Sequence, residues 1–380
     1  MKLPLPISFA PDAPDLAERL DALRGSRGIY LLAIAGAQAH LGWSVNLHRR
    51  LSRWLVSSYP GSGAGISSLR QRITTVSCWL TGSKLETSLF LYEVAKLELP
   101  TEYRKYLKLR MPWFVGLKTE DRFPRLEVMN RLPQQGRALY GPFRTRDAAQ
   151  LYEQEVLGLF QIRRCTEVLN PHPGHPGCIY GEMSQCMRPC QCAVSETEYG
   201  SEAERVADFL ATNGKSALSV LTIARDRASG ELEFEQASQI QKRLERVQGT
   251  AKARDEVVRA VEEFNGVAVT SGTRPLEFRL WPMLGGIWQP AVSLDFSAEQ
   301  VPAKSLDSEI RERLGAALAN VDKSGNRLEQ LALFSRWYYS SWREGRWFPF
   351  RTLDNLNYRG LVREVSKMAE QTRRVQENGP

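Results

Sequence analysis

Apolar and polar positions follow two rhythms along this chain, and the places where one gives way to the other mark its elements. GIYLLAI (28–34) is a continuous apolar run of strand length, while SVNLHRRLSRWLVSSY (44–59) has apolar residues at three- and four-residue steps and reads as a helix. GSGAGISSLRQRI (61–73) predicts a turn and a further helix, and TTVSCWLTG (74–82) a strand. SKLETSLFLYEVAKLELP (83–100) predicts an amphipathic helix that Pro100 stops. WFVGLKTEDRFPRLEVMNRL (113–132) reads as a β-hairpin with a charged turn, and YGPFRTRDAAQLYEQEVLGLFQI (140–162) as a Gly-Pro turn feeding a helix. Residues 197–262 are almost wholly helical in pattern. GVAVTSG, LEFRLWP and AVSLDF between 264 and 300 are strand-like, and 305–375 returns to helices.

The fold class expected from these patterns is α/β of the α+β kind. An N-terminal arm and short helix (1–26) precede a small mixed sheet with helices (27–110). A linker hairpin and helix (111–160), a cysteine-rich module (161–196), a helical region (197–262) and a small α+β region (263–380) follow.

Composition narrows the function classes. With 42% apolar and 25% charged residues the chain is an ordinary globular sequence rather than a disordered one. No run of about 18 apolar residues occurs, which predicts no membrane span. The start MKLPLPISFAPDAPDLAERL has Pro and acidic residues where a signal peptide needs an apolar core, so cytoplasm is the expected location. A net charge of +8 favours a polyanionic partner, because cations placed on phosphates release condensed counterions. Arg49, Arg50 and Arg53 lie on one predicted helix and suit contact with a DNA backbone without sequence reading.

Five of the six cysteines fall within 165–192. Cys165, Cys178, Cys186 and Cys190 give the spacing C-x12-C-x7-C-x3-C in a Gly- and Pro-rich stretch. Four thiolates suit a tetrahedral S4 site or a cubane cluster, and the paired C-x2-C spacing of a zinc ribbon is missing. The spacing leaves the metal open. Cys192 is an alternative ligand or a bystander, and PHPGHPG, with His172 and His175, reads as a solvated loop. Cys78 stands alone in an apolar segment and reads as a core residue.

These cysteines and their surroundings resemble the UvrC/Cho excinuclease family. GIY (28–30) with LGWSVNLHRRL looks like the hairpin and basic helix of a GIY-YIG nuclease domain, and TGSKLETSLFLYEVAKLELP like the helix that carries its catalytic glutamate. LYGPFRTRDAAQLYEQEVLGLFQIRRC with the following cysteines is similar to the family's linker and cysteine-rich region, and ALSVLTIARDRASGELEFEQASQIQKRLERV to its UVR helical hairpin. The resemblance covers roughly 26–248.

What it implies is specific. The cysteines would hold an iron–sulfur cluster of the [4Fe-4S] type, with zinc as the alternative. The hairpin would pair with UvrB through Phe234, Ala237, Ile240 and Leu244, and the DNA would be a repair substrate. Cleavage would need one Mg or Mn ion on a glutamate, a tyrosine near it, and an arginine for the developing phosphorane charge. Tyr30, Gly42 and Arg50 match those positions, while His40 stands for the second motif tyrosine, Trp43 for a lysine and Trp54 for a further tyrosine. Alignment on Ser83 and Pro100 puts Leu91 at the metal-binding glutamate and Tyr103 at the following asparagine. A leucine cannot ligate a hard cation. Glu86 and Glu93 sit at helical angles of about 140° and 200° from it.

The resemblance therefore supports a UvrC-like repair protein that binds DNA and UvrB with an impaired nuclease site. The alternative is an active endonuclease making one incision, with His40 as base, and a third reading gives the thiolate centre a redox-sensing role. FNGVAVTSG starts like an RNase H strand, with Thr270 and Ser271 near the position of the expected acid, so 263–380 is expected as a degenerate RNase H-like region without a two-metal site.

Overall fold

Three small antiparallel sheets organise the protein, whose computed structural model describes residues 3–56, 70–133, 137–297, 305–319, 321 and 324–377. The chain divides into two compact units, 1–110 with 265–380, and 111–264. The architecture is α+β. No helix among the described residues is long and apolar enough to cross a membrane.

In the first unit the N-terminal arm is more than an extended lead. Its strand β1 (Ile7–Phe9) pairs with β4 (Ile73–Leu80), giving the sheet order β1-β4-β2-β3 with β2 (Gly28–Ile34) and β3 (His40–Ser44). After helix α1 (Leu16–Asp21) and this hairpin comes α2 (Leu47–Leu55), which Asn46 caps by accepting the Arg49 N–H. Leu47, Leu51 and Leu55 turn one stripe of α2 onto Tyr30, Leu32, Val76 and Cys78. The helix expected over 61–73 falls mostly outside the described residues. Ser83 caps α3 (Lys84–Glu98), and the short α4 (Tyr103–Tyr106) follows.

The expectation of an amphipathic α3 needs correcting. Leu85, Glu86, Thr87, Leu89, Phe90, Tyr92, Val94 and Ala95 are all buried, because the C-terminal stretch covers the side that the sheet leaves open. Phe90, for example, meets Trp281 edge-on at 6.4 Å between centroids.

The second unit starts with the expected hairpin, β5 (Trp113–Lys118) and β6 (Arg125–Met129). YGPF is a strand rather than a turn: β7 (Leu139–Phe143) is buried throughout and pairs with β5. Pro142 has no N–H for the ladder, and the register slips opposite it, between Trp113 and Val115. Helix α5 (Arg146–Leu157) leads through the cysteine module, with its single turn α6 (Ile179–Glu182), to α7 (Glu196–Thr212). The helical hairpin is α8 (Lys215–Gly230) and α9 (Phe234–Ala253), so its turn falls on 231–233. The helical pattern also ends earlier than 262, since β8 (Arg259–Ala260) pairs with β7.

The C-terminal stretch returns to the first unit. Strands β9 (Asn265–Ser271), β10 (Glu277–Leu284), β11 (Ile287–Trp288) and β12 (Val292–Asp295) are followed by α10 (Leu306–Leu318) and α11 (Arg327–Tyr338). RWFPF, expected among helices, is strand β13 (Arg346–Phe350) on the free side of β9. Its aromatic residues favour a strand, and α12 (Tyr358–Glu377) closes the core over Val267, Phe278, Ile310 and Phe348. Thr270, near the RNase H acid position, is buried and accepts from Trp281 Nε1 at 3.2 Å.

Candidate functional site

The β2–β3 hairpin and α2 bring residues that the sequence singled out together around Tyr30. In the hairpin register Tyr30 lies opposite Gly42 and Leu32 opposite His40. Gly42 has a steric reason to be glycine, because a Cβ there would stand 2.4 Å from Tyr30 Oη. The His40 ring lies 5.9 Å from Tyr30 and 5.0 Å from Trp54, and the Trp54 indole hydrogen-bonds the Tyr30 hydroxyl. Arg50 supplies the charge that acts on both Tyr30 and His40.

Protonation follows from these surroundings. Burial pushes the Tyr30 phenol up, against the pull of Arg50, so it stays protonated at neutral pH. Burial and then Arg50 hold His40 below the ordinary histidine range, so its ring is neutral. The pocket thus offers one exposed guanidinium, a phenol and a neutral imidazole. That set suits a phosphate oxygen.

Sequence reasoning missed Tyr106, which joins this pocket from α4. Its hydroxyl donates to the Leu41 carbonyl, and burial and then the nearby Tyr30 push its pKa up. The signal was there: Tyr106 sits in the basic run YRKYLKLR (103–110) just after Pro100. Trp43, at the family's lysine position, is half exposed, and Arg49 is exposed on α2.

Glu86 and Glu93, the α3 carboxylates on either side of Leu91, are engaged elsewhere. Glu86 is fully buried, accepts the Gly82 N–H at 2.7 Å, and faces Arg279 of β10 at 3.2 Å. Burial raises its pKa to about 7, against Arg279 and the Gly82 hydrogen bond. Glu93 acts on Tyr92. Tyr92 in turn donates at 2.6 Å to Glu329, a fully buried carboxylate on α11 that also takes Tyr103 at 2.8 Å and Arg104 at 2.5 Å. Tyr103, at the family's asparagine position, therefore ties α4 to the C-terminal stretch. Leu91 is half-buried on α3.

Further along, Arg27 and the Lys84 N–H hold Glu344, at 3.0 and 2.9 Å. The backbones come close at Gly82, where a Cβ would stand 1.9 Å from the Gly272 carbonyl oxygen.

In the second unit all six cysteines of the chain's described thiol set bar Cys78 gather in one module, and all are free. Cys186 and Cys190 are buried, Cys165 is half-buried, and Cys178 and Cys192 are exposed. Burial pushes both Cys186 and Cys190 up, and both also feel Cys165 and Cys178. The four predicted ligands are therefore neighbours. Among the described residues no three or more His, Cys, Asp or Glu side chains are set in ion-holding geometry. Thiolates are the donor type that soft metal centres take. His172 and His175 each turn Nδ1 to a loop N–H, of Gly174 and Gly177, as a structural loop requires.

A buried arginine that the sequence reading passed over anchors this module. Arg163 spans Asp121 at 2.7 Å, the Phe123 and Glu167 carbonyls at 2.8 Å each, and Cys165 Sγ at 3.9 Å. Its own N–H is taken by the buried Tyr199 hydroxyl at 2.8 Å. The closing turn at Pro189–Gln191 is flanked by Arg188 and Cys192, both at positive φ.

On the hairpin, the stripe named as a partner surface is graded. Phe234 is exposed, Ala237 and Ile240 are half-buried, and Leu244 is buried. Val220, Ile223 and Leu232 join Phe234 as exposed apolar residues of the same hairpin.

Comparison with known proteins matches this division of the chain. Residues 112–209, inside the second unit, match the family described as UvrC/Cho excinuclease, middle domain. UvrABC system protein C of Limosilactobacillus fermentum is 27% identical over 239 residues, 62% of this chain and 38% of that protein. The Lacticaseibacillus casei protein of the same name is 27% identical over 250 residues, 65% and 37%. That of Anaeromyxobacter sp. is 26% identical over 294 residues, 76% and 40%. The chain thus spans about two fifths of the length of these curated relatives. No solved structure matches it. Over part of its length, then, the chain is similar to the UvrC proteins, and residues 112–209 resemble the middle domain of the UvrC/Cho excinucleases.

Proposed function

We propose that this protein is a DNA-binding component of nucleotide excision repair that holds a phosphodiester in the Tyr30 pocket without cutting it. The observation that carries this reading is the pairing of Arg50 with Tyr30 and His40, while Leu91 stands where the family's metal-binding glutamate belongs. A guanidinium and neutral hydrogen-bonding rings bind an anion. They do not hold a hard divalent cation, which needs carboxylate or carbonyl oxygens. Glu86 and Glu93 of α3 are engaged away from these groups, which supports the same reading.

Two further parts belong to this proposal. Cys165, Cys178, Cys186 and Cys190 would hold an iron–sulfur cluster, which when bound would staple the module and carry redox sensitivity. This chain's own contribution is the Arg163 scaffold that fixes Cys165 beside Asp121 and Glu167. The exposed end of the hairpin, with Phe234 and Leu232, would dock UvrB, as the UvrABC names of the relatives suggest.

The deciding experiment is a nicking assay on lesion-bearing duplex with UvrA, UvrB and Mg²⁺ or Mn²⁺, run beside a binding assay. Binding without nicking is the expected result. Nicking by the wild-type protein that disappears in Arg50→Ala would establish the active endonuclease instead. Iron content and visible absorbance of anaerobically purified protein separate a cluster from zinc, and Cys186→Ser is expected to lose both signals.

A further inference from the structure

The segment 103–110, YRKYLKLR, is left unexplained by the pocket and by the C-terminal contacts, although it touches both. We infer that it is a second phosphate-binding element, a basic strap that extends the DNA footprint of α2 past the Tyr30 pocket. This rests on the DNA-binding reading above.

Three observations carry it. First, the strap is held at both ends. Tyr106 ties it to the Leu41 carbonyl beside the pocket, while Glu329 holds Tyr103 and Arg104, and Arg336 donates to the Leu107 carbonyl at 2.9 Å. Leu107 is buried beneath it. Second, this anchoring leaves its cations outward. Lys105, Lys108 and Arg110 are exposed, and the ion pairs among the described residues engage none of them. Arg104 alone is committed, to Glu329. Third, Arg50 and Tyr106 both lie close enough to Tyr30 to interact with it electrostatically, so the strap and α2 approach the same residue.

Three cations on one short, fixed segment lose little conformational freedom on meeting a polyanion. They carry no planar array of donors and acceptors aimed at base edges, so the contact is with phosphates and is independent of sequence. The partner this chemistry fits is the backbone of a DNA duplex whose neighbouring phosphodiester occupies the pocket.

The test compares the salt dependence of duplex binding for the full chain and two triple variants. Lys105→Gln/Lys108→Gln/Arg110→Gln removes the strap's free cations. Arg363→Gln/Lys367→Gln/Arg373→Gln removes the same charge from α12. Each lost phosphate contact lowers the slope of log K against log salt by about 1. The strap variant is expected to lose about 3 units of slope, and the α12 variant less than about 1. Replacing the two strap lysines by arginine should keep the slope. Equal losses in the two triple variants, or no loss in the strap variant at an unchanged melting temperature, would overturn the inference. A wild-type protein that binds no duplex at all would overturn the DNA reading beneath it.

Discussion

The Tyr30 pocket and the buried surface around Glu86 and Glu329 belong to the same unit, yet they use charge in opposite ways. The pocket has an exposed cation, Arg50, among protonated or neutral rings. The buried surface has carboxylates, each surrounded by donors. Glu329 takes two tyrosine hydroxyls and a guanidinium, and Glu86 faces Arg279 and the Gly82 N–H. A nuclease of the GIY-YIG kind needs both signs in one place. Here Glu86 and Glu329 belong to the packing between α3, α4 and the C-terminal stretch, apart from the cluster of Tyr30, His40 and Arg50.

The largest effect should come from breaking the buried side. Glu329→Ala leaves the buried Tyr92 hydroxyl and its neighbours without an acceptor, at about 1–3 kcal/mol for each buried group orphaned. Denaturant melts should show a loss of about 3 kcal/mol, with Glu329→Gln losing less. DNA affinity of the protein that remains folded should fall as well, because Glu329 holds Tyr103 and Arg104 of the strap in place.

On the pocket side, Arg50→Ala should weaken duplex binding more than tenfold, since hydrogen bonds to charged groups contribute about 1.5–3 kcal/mol. Its salt slope should drop by about 1, as fluorescence anisotropy at several salt concentrations would read. Stability should hardly move, because Arg50 is exposed.

Leu91→Glu attacks the comparison directly by returning a carboxylate to α3. Mn²⁺ binding by calorimetry, with Glu86→Gln as a control, should appear in this variant and not in wild type. Failure to gain it would show that α3 presents residue 91 away from the pocket.

The smallest effect is a pH dependence. Glu86 is raised in the folded chain to about 7, above its ordinary carboxylate value. Its contribution to stability is therefore fully present at acidic pH and lost as the pH rises through about 7. His40 runs the other way: its depressed pKa costs stability as the pH falls below the ordinary histidine range. Melting temperatures from pH 5 to 8 should lose their alkaline decline in Glu86→Gln and keep their acid decline.

Much of this was legible in advance where local pattern and chemistry coincide. GIYLLAI is β2, the helix bearing Arg49, Arg50 and Arg53 is α2, and Cys165, Cys178, Cys186 and Cys190 do lie near one another. The misreadings share one cause. YGPF looked like a turn because Gly-Pro usually is one, and RWFPF was lost among helices because aromatics serve either structure. Strand partners elsewhere in the chain decided both.

By itself the sequence determined the UvrC-like middle portion, the four-thiol donor set, the basic α2 and a leucine at position 91. These are matters of which atoms are present. Only the tertiary structure decided where the carboxylates point. Residues 265–380 fold back onto 1–110, across more than 150 intervening residues, and Arg279 and the donors around Glu329 come from opposite ends of that return. Burial makes such a choice decisive, because a carboxylate removed from water must be paired or protonated. No local pattern around Glu86 announces which partner will do it.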